Sequence, residues 1–191
     1  MRATIQVLDE HGFENATIPR IAKAAKVSPA SVYRRFEDKD ALIRETLLTA
    51  LRSSAKVVER ALDPKVFANK TLEEAAKSVL RSVMMQDREH PNLILAIKRF
   101  SEAPGEKAFA KESMELIGQN FRNMTTALAA CHDISGIRER KKKIEFALLT
   151  VTSAIEVMIL EPSSMWGELW KESDDKVLKR LLQMFLSYVR T

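Results

Sequence analysis

A stretch without acidic residues carries the clearest chemical signal in this sequence. Between Pro19 and Phe36 there are five cations and no carboxylate, and acidic residues return directly afterwards at Glu37. The cations are Arg20, Lys23, Lys26, Arg34 and Arg35. A carboxylate on a surface that faces nucleic acid would repel the phosphates, so a basic segment without carboxylates is suited to a polyanion. The alternative is that these cations only solvate helix faces, because short charge runs are common.

Two short helices are predicted to position these side chains. Thr17 is a suitable N-cap for a helix that reaches Lys26, and Ser28 followed by Pro29 predicts a second helix to about Phe36. The residues that can close a small core between these helices are Ile21, Ala25, Val27 and Val32, and the small side chains of Ala22 and Ala25 allow the helices to approach closely. The small residues that open the second helix, and would let it enter a major groove, are Ser28, Pro29, Ala30 and Ser31. The pattern therefore predicts a helix-turn-helix.

Helical periodicity extends through nearly all of the remaining sequence. Residues 3–11 predict a first helix that stops at Gly12, and Asp38 predicts the N-cap of a longer fourth helix that ends at Asp63-Pro64. Five more amphipathic segments follow, at residues 72–83, 93–100, 109–131, 144–159 and 177–189. About nine helices and no strand are predicted, which defines an all-α fold. The scarcity of turn formers, five Gly and six Pro, agrees with it.

The chain is predicted to form a small N-terminal domain and a larger C-terminal one. Short helices rich in alanine give way near residue 45 to long helices with bulky apolar faces. We therefore expect a three-helix domain at residues 1–45 and a helical domain at residues 46–191. Trp166 and Trp170 are expected to pack the last connection between helices.

The composition narrows the class of protein. With 46% hydrophobic residues, 30% charged residues and a net charge of +5, the chain is expected to be globular, soluble and compatible with a polyanionic partner. Cys131 is the only cysteine, which suits a reducing compartment. We expect a cytoplasmic protein, because neither a signal peptide nor a bilayer-spanning apolar run is found. No enzyme, metal site or cofactor is expected, because no catalytic motif or metal-ligand spacing occurs and the three histidines are scattered.

An ordered set of residues follows one spacing from the first helix to the fourth. It consists of Gly12-Phe13, Thr17, Ile21-Ala22, Ala25, Val27-Ser28, Tyr33, Phe36, Lys39 and Leu42. This set, between Ala3 and about Glu45, resembles the DNA-binding domain of the tetracycline-repressor (TetR) family of bacterial regulators. The resemblance covers about a quarter of the chain. The rest has the family's all-helical layout without a diagnostic motif.

The resemblance implies roles for individual residues. Ser28 to Arg34 would form the recognition helix with its cap, and Arg34 and Arg35 are the side chains best able to contact guanine. Tyr33 would hydrogen-bond a phosphate, although it can instead be an aromatic residue that only packs. The phosphate contacts at the beginnings of the fourth and second helices would come from Lys39 and Thr17.

Three departures from the family pattern are visible. The turn residue before Val27 is usually glycine, and here it is Lys26. If that position keeps a left-handed backbone, a non-glycine residue costs about 1 kcal/mol. Arg35 occupies a place where the family often has histidine or another aromatic residue, so it is expected to add a phosphate contact. The family pattern also begins further upstream than Met1, so the first helix is expected to be short.

The larger domain is expected, by the resemblance, to dimerise and to bind an effector. One helix-turn-helix offers few contacts, and a palindromic site matches a two-fold protein. The last two long helices are the candidates for the interface, and the alternative is that their apolar stripes are core within one chain. The candidate interface residues are Leu148, Val151, Ile155, Ile159, Leu178, Leu181, Leu182 and Phe185.

An effector pocket is expected among the middle helices, where adaptable and aromatic side chains would suit a hydrophobic ligand. Its candidates are Met84, Met85, Phe100, Met114, Phe121, Met124 and Met158. The alternative is that these residues are ordinary core. Of the polar residues nearby, His90 is expected at a helix end and Glu156 on an exposed face. The basic run from Arg138 to Lys143 is expected to be a solvated segment.

The sequence thus predicts a homodimeric regulator that binds a palindromic operator in double-stranded DNA. It would act as a repressor that a small molecule releases. The alternative is a DNA-binding regulator without a small-molecule effector, whose C-terminal domain serves dimerisation or a protein partner.

Overall fold

The computed structural model describes residues 1–160 and 172–191. These residues form ten α-helices and one short 3-10 helix, and they contain no strand. The helices are α1 Arg2–Asn15, α2 Ile18–Ala24, α3 Pro29–Tyr33, α4 Lys39–Ala61, α5 Pro64–Phe67, α6 Leu72–Glu89, α7 Pro91–Glu102, α8 Lys107–Ala129, α9 Arg140–Leu160 and α10 Asp174–Arg190, with the 3-10 helix at His132–Ile134. The predicted all-α fold is confirmed. The expected packing of Trp166 and Trp170 lies outside the described residues.

Helices α3 and α5 are among those that differ from the sequence prediction. The single turn α5 was not predicted, because Asp63-Pro64 indicates a helix end as well as a helix start. The Asp63 carboxylate accepts a hydrogen bond from the backbone N–H of Lys65 at 2.9 Å, and Pro64 occupies the first helical position. Helix α3 ends at Tyr33, three residues before the predicted end at Phe36.

The described residues pack as two compact units. The first unit contains residues Met1–Lys56 and His90–Gly118, and the second contains Val57–Glu89 and the described part of Gln119–Thr191. Helix α7 and the first half of α8 therefore pack with the N-terminal helices, which their place in the chain does not reveal. The functional boundary between residues 45 and 46 stays a prediction.

The first unit has a core that supports the helix pair α2 and α3. Its buried residues are Val7, Leu8, Ala16, Ile18, Ile21, Ala22, Val32, Leu42, Ile43, Leu47, Ala96, Phe100 and Phe109. Phe100 joins two other rings, with its centroid 5.6 Å from Phe13 and 5.5 Å from Phe109. Each large apolar side chain buried here stabilises the unit by about 1.5–3 kcal/mol.

Gly12 interrupts α1, as the sequence predicts for a helix stop at this residue. Its backbone has φ 71° and ψ 170°, and the helix resumes for one short turn to Asn15. Only glycine adopts this combination without a large penalty. The kink lies immediately before Phe13, whose ring packs against the core of the first unit.

The second unit is built on α6, α9 and α10, which pack against one another. Their buried stripes follow helical spacing, as in Ile144, Leu148, Val151 and Ile155 of α9. The 3-10 helix is joined to α6 by a hydrogen bond from the Leu72 backbone N–H to the Asp133 carboxylate at 2.8 Å. No helix in the described part of the chain is long and apolar enough to cross a membrane.

Candidate nucleic-acid interface

The turn between α2 and α3 is a helix C-cap in which Lys26 has a left-handed backbone. The Val27 N–H donates to the Ala22 carbonyl at 3.0 Å, and the Lys26 N–H donates to the Lys23 carbonyl at 3.1 Å. These two bonds form the Schellman motif, whose first residue beyond the cap is left-handed and usually glycine. Lys26 has φ 56°, so this non-glycine residue carries the backbone-strain cost of about 1 kcal/mol that the sequence predicts for a left-handed position.

Helix α3 begins with a linked group of polar side chains. The Ser28 hydroxyl accepts from the Ser31 backbone N–H at 3.2 Å, which confirms Ser28 as the N-cap. The two hydroxyl oxygens lie 2.9 Å apart, and the Arg34 guanidinium donates to the Ser31 hydroxyl at 3.2 Å. Arg34 is therefore held along α3 rather than extended away from it, and it has further N–H groups to donate elsewhere.

The remaining side chains of this surface stand in solvent. Tyr33 is 56% exposed, which argues against a residue that only packs. Pro29 and Ala30 are exposed at the first turn of α3. The Arg35 guanidinium lies 5.4 Å from the centroid of the Phe36 ring, so the ring orients it.

The α2 end of the surface is anchored by backbone contacts. Thr17 is the N-cap of α2 but its hydroxyl forms no capping bond, so the exposed hydroxyl keeps its capacity for another acceptor or donor. The Arg20 guanidinium donates to the Asn15 carbonyl at 2.8 Å. Asp38 caps α4 by accepting from the Ala41 N–H at 2.7 Å, as the sequence predicts.

Lys39 occupies the first position of α4 and is only partly exposed. Its ammonium donates to the Phe13 carbonyl at 3.2 Å and lies 4.1 Å from the centroid of the Phe13 ring. The ammonium has three donors, so this arrangement leaves capacity for a phosphate oxygen. All ten sequence-predicted DNA-binding residues lie in the first unit, from Thr17 to Lys39.

The seven predicted effector residues are divided between the two units. Phe100 is part of the core of the first unit, and Met114 in the same unit is largely exposed. Met84 and Met85 line a surface cavity of about 320 Å³ in the second unit. The other three, all partly buried in the second unit, are Phe121, Met124 and Met158.

The eight predicted interface residues are all buried within the single chain. Packing among α6, α9 and α10 explains their burial without a second copy, so the residues open to a partner are others. The exposed face of α9 and α10 carries Phe146, Leu149, Met184 and Tyr188. The ring centroids of Phe146 on α9 and Tyr188 on α10 lie 5.2 Å apart, so the exposed apolar residues of the two helices form one continuous surface. We call these four residues the α9–α10 apolar face.

The polar residues outside the helix pair have structural partners. His90 is the N-cap residue of α7, at a helix end as predicted, and its Nδ1 lies 2.7 Å from the Asp9 carboxylate. Arg140, in the basic run, donates to the carbonyls of Ala129 and Ser135 and so secures the chain after α8. Sequence reasoning missed this role. A basic residue shortly after a helix end was the available signal.

Two chemical alternatives find no support in the described residues. Residues 1–160 and 172–191 contain no group of three or more His, Cys, Asp or Glu that could hold a metal ion. Burial and the nearby Asp133 carboxylate raise the pKa of the buried Cys131 thiol to about 11. This thiol is protonated at neutral pH and is a poor nucleophile.

The helix pair, its Schellman turn and its exposed cations define a helix-turn-helix protein of the all-helical class. Residues 1–46 match the model of the bacterial regulatory proteins, tetR family. The chain is also 40% identical over 60 residues to the HTH-type transcriptional regulator BetI of Stenotrophomonas maltophilia, a segment that covers 31% of each chain. The N-terminal segment is therefore similar to TetR-family transcription regulators, and the chain spans less than a third of the length of the curated relatives that it matches.

Solved structures share the fold over nearly the whole chain. A protein assigned as a TetR-family transcriptional regulator from Mesorhizobium loti superposes with a TM-score of 0.72 at 14% identity, covering 99% of this chain and 92% of that one. The fatty acid degradation regulator FadR of Bacillus halodurans superposes with a TM-score of 0.64 at 16% identity, covering 97% and 95%. At these identities the likeness is one of fold.

Proposed function

We propose that this protein binds double-stranded DNA through α2, α3 and the beginning of α4, and that it regulates transcription as a homodimer on a palindromic operator in the cytoplasm. The observation that carries the proposal is the solvent-exposed, acid-free surface from Pro19 to Phe36, with Tyr33 exposed beside it. Phosphates would meet Thr17, Tyr33 and Lys39. Arg34 and Arg35 would meet base edges or phosphates, since guanidinium groups can serve either.

The test is the salt dependence of DNA binding by Tyr33→Phe and Lys39→Ala. Each neutralised phosphate contributes a slope of about −0.9 in log affinity against log salt, so loss of Lys39 reduces the slope by about 1. Tyr33→Phe removes only a hydroxyl, so it weakens binding without changing the slope. Lys77→Ala, at an exposed position of α6, is the control for net charge. An unchanged affinity and slope in both variants would exclude the assignment.

The homodimer would form through the α9–α10 apolar face rather than through the stripes that pack within the chain. Phe146, Leu149 and Met184 are each 57% exposed, and Tyr188 is 45% exposed. Aromatic residues and methionine are enriched at protein interfaces. The neighbouring exposed residues Thr150, Ser153 and Ser187 are small, which allows a second pair of helices to approach closely.

We further propose that the protein is a repressor released by a small molecule with hydrophobic character. The cavity at Met84 and Met85 supports this, because Leu178 adds a third apolar side chain and ion pairs rim it. These pairs are Arg81–Asp175 at 3.2 Å and Arg88–Asp174 at 2.7 Å. A ligand that enters here would be apolar with a charged or polar end.

The alternative is a regulator without an effector, whose second unit serves dimerisation or a protein partner. Thermal unfolding in the presence of a panel of amphipathic compounds separates the two proposals. A compound that raises the melting temperature of the native protein, but not of Met84→Glu, supports the cavity. If no compound stabilises the protein or changes its DNA affinity, the alternative is favoured.

A further inference from the structure

The ring of Phe13 is shared by two cations from distant parts of the sequence. The Lys39 ammonium and the Arg99 guanidinium carbon each lie 4.1 Å from the ring centroid. A cation at this distance over an aromatic ring is attracted by the ring's quadrupole. Lys39 belongs to the proposed DNA surface, whereas Arg99 lies on α7 and far outside the helix-turn-helix in sequence.

Arg99 is held in place by a second contact on α1. Its guanidinium pairs with the carboxylate of Glu14, the residue next to Phe13. Phe100, which follows Arg99, packs its ring edge-on against Phe13 at 73° between ring planes. The contacts of α7 thus fix both the position and the tilt of the Phe13 ring.

Helix α7 is also tied to α1 at its other end. The Asn92 side chain donates to the Asp9 carbonyl at 2.9 Å, and His90 meets the Asp9 carboxylate at 2.7 Å. Because α7 is attached at both ends, Arg99 approaches Phe13 from a fixed support rather than from a loose helix.

We propose that Arg99 is a positioning residue for DNA binding, which acts through the Phe13 ring to hold the Lys39 ammonium at the beginning of α4. The inference rests on the proposed function of the first unit. A lysine side chain has large rotamer entropy, and holding it before binding removes part of the cost of ordering it on a phosphate. Arg99 stabilises the ring that Lys39 rests on.

The first experiment measures Lys39 in the free protein and does not depend on DNA. Protons over the face of an aromatic ring resonate upfield, so the Lys39 side-chain methylene next to the ammonium, which lies over the Phe13 ring, should show an upfield ring-current shift by NMR. We expect Phe13→Leu to abolish this shift, Arg99→Ala to reduce it clearly, and Arg99→Lys to preserve most of it. If Arg99→Ala leaves the shift as in the native protein, the positioning role is excluded.

The second experiment is a double-mutant cycle with labelled double-stranded DNA of mixed sequence at low ionic strength. We expect Arg99→Ala to weaken binding roughly threefold, as loss of an exposed cation–π contact allows. In the Lys39→Ala background the same change should have almost no effect. An equal loss in both backgrounds would mean that Arg99 acts on DNA by its own charge, which overturns the proposal.

Two further variants control for loss of a cation in the first unit and test whether another cation can replace Arg99. Lys107→Ala removes a cation from an exposed site at the beginning of α8 in the same unit, and it should bind DNA like the native protein. Arg99→Lys keeps the charge and should restore most of the affinity lost in Arg99→Ala. If the native protein fails to bind DNA, the proposed function fails, whereas the NMR result still decides whether Arg99 positions Lys39.

Discussion

Two exposed surfaces among the described residues are chemically opposite. The basic surface, as we call residues 19–36 of the first unit, presents cations, hydroxyls and small side chains without a carboxylate. The α9–α10 apolar face of the second unit presents two aromatic residues, a leucine and a methionine. A basic surface suits a strongly hydrated polyanion, and an apolar surface suits a partner that excludes water.

The difference teaches why sequence reasoning located one surface and not the other. Cations are almost never fully buried, so a basic run in the sequence is already a statement about the surface. An apolar residue on a helix is more often buried, so the widest apolar stripe indicates core. On α9 that stripe contains Leu148 and Val151, whereas Phe146 and Leu149 lie out of phase with it and are exposed. The residues out of phase were the signal for the proposed interface.

The largest expected effect comes from placing a charge in the α9–α10 apolar face. Leu149→Lys puts a cation at the centre of the proposed interface in both copies. Loss of a central apolar contact costs about 2 kcal/mol per copy, so the dimer dissociation constant should rise on the order of a thousandfold. Analytical ultracentrifugation over a concentration series measures this change.

The matched control is Gln86→Lys, which adds the same charge at an exposed position of α6. It should leave the association state unchanged. If Leu149→Lys and the native protein associate equally, the apolar face is not the dimer interface and the contrast between the two surfaces loses its functional meaning.

A smaller effect is expected at Gly12, where α1 kinks immediately before Phe13 in the first unit. Gly12→Ala forces an L side chain into a backbone conformation that is essentially restricted to glycine, although the new methyl group meets only Asn92 Oδ1 at 3.8 Å. The free energy of unfolding should fall by about 1–3 kcal/mol from backbone strain alone. Urea denaturation measures it.

Gly136→Ala is the control for this prediction, since Gly136 has no unusual φ and its added Cβ meets nothing within 4 Å. A change within about 0.5 kcal/mol is expected there. Equal losses at Gly12 and Gly136 would contradict the role of backbone strain.

These cases show how far the sequence predicts this molecule. Helix existence follows from apolar spacing and caps, so Ser28 and Asp38 were assigned correctly as N-caps. Contacts between distant segments do not follow from local pattern, which is why Arg99 over Phe13 and the packing of α7 with the N-terminal helices were missed. The positions of the predicted pocket residues depend on which side of each helix faces the core, and a mixed stripe such as Met84-Met85 leaves that open.

The second unit contains a partly buried carboxylate, Asp87 on α6, whose titration affects stability. Burial and the Glu156 carboxylate raise the pKa of Asp87 from 3.8 to about 6. Because the folded-state pKa is the higher one, Asp87 favours the folded state at acid pH, and this contribution is lost as pH rises through about 6. Asp87→Asn should therefore stabilise the protein near neutral pH by about 1 kcal/mol, after allowance for partial solvent screening.

The pH dependence is the measurement that checks this prediction. Denaturation at about pH 4 should show little difference between Asp87→Asn and the native protein, and the difference should grow towards about pH 8. Glu115→Gln, at an exposed position of α8, is the control and should change stability little at either pH. A stabilisation that is the same at both pH values would contradict a charge effect.

The smallest expected effect returns to the turn of the basic surface, where Lys26 occupies the left-handed position of a Schellman motif. Lys26→Gly relieves about 1 kcal/mol of backbone strain but adds unfolded-state entropy, so a net gain of about 0.5 kcal/mol in unfolding free energy is expected. Lys26→Ala removes the same charge and keeps the strain, so it should show no gain.

Comparing Lys26→Gly with Lys26→Ala separates the effect of backbone strain from the effect of charge, because both variants lose the cation and only the glycine variant loses the strain. If Lys26 meets a phosphate, DNA binding by both should weaken equally, with the salt slope reduced by about 1 in each. A glycine variant that is no more stable than the alanine variant would show that the turn relaxes around Lys26. In that case the turn would accommodate the Lys26 side chain without measurable backbone strain. The expected result is a basic surface that keeps a cation at a small cost in stability, at a turn position where glycine would give a more stable fold.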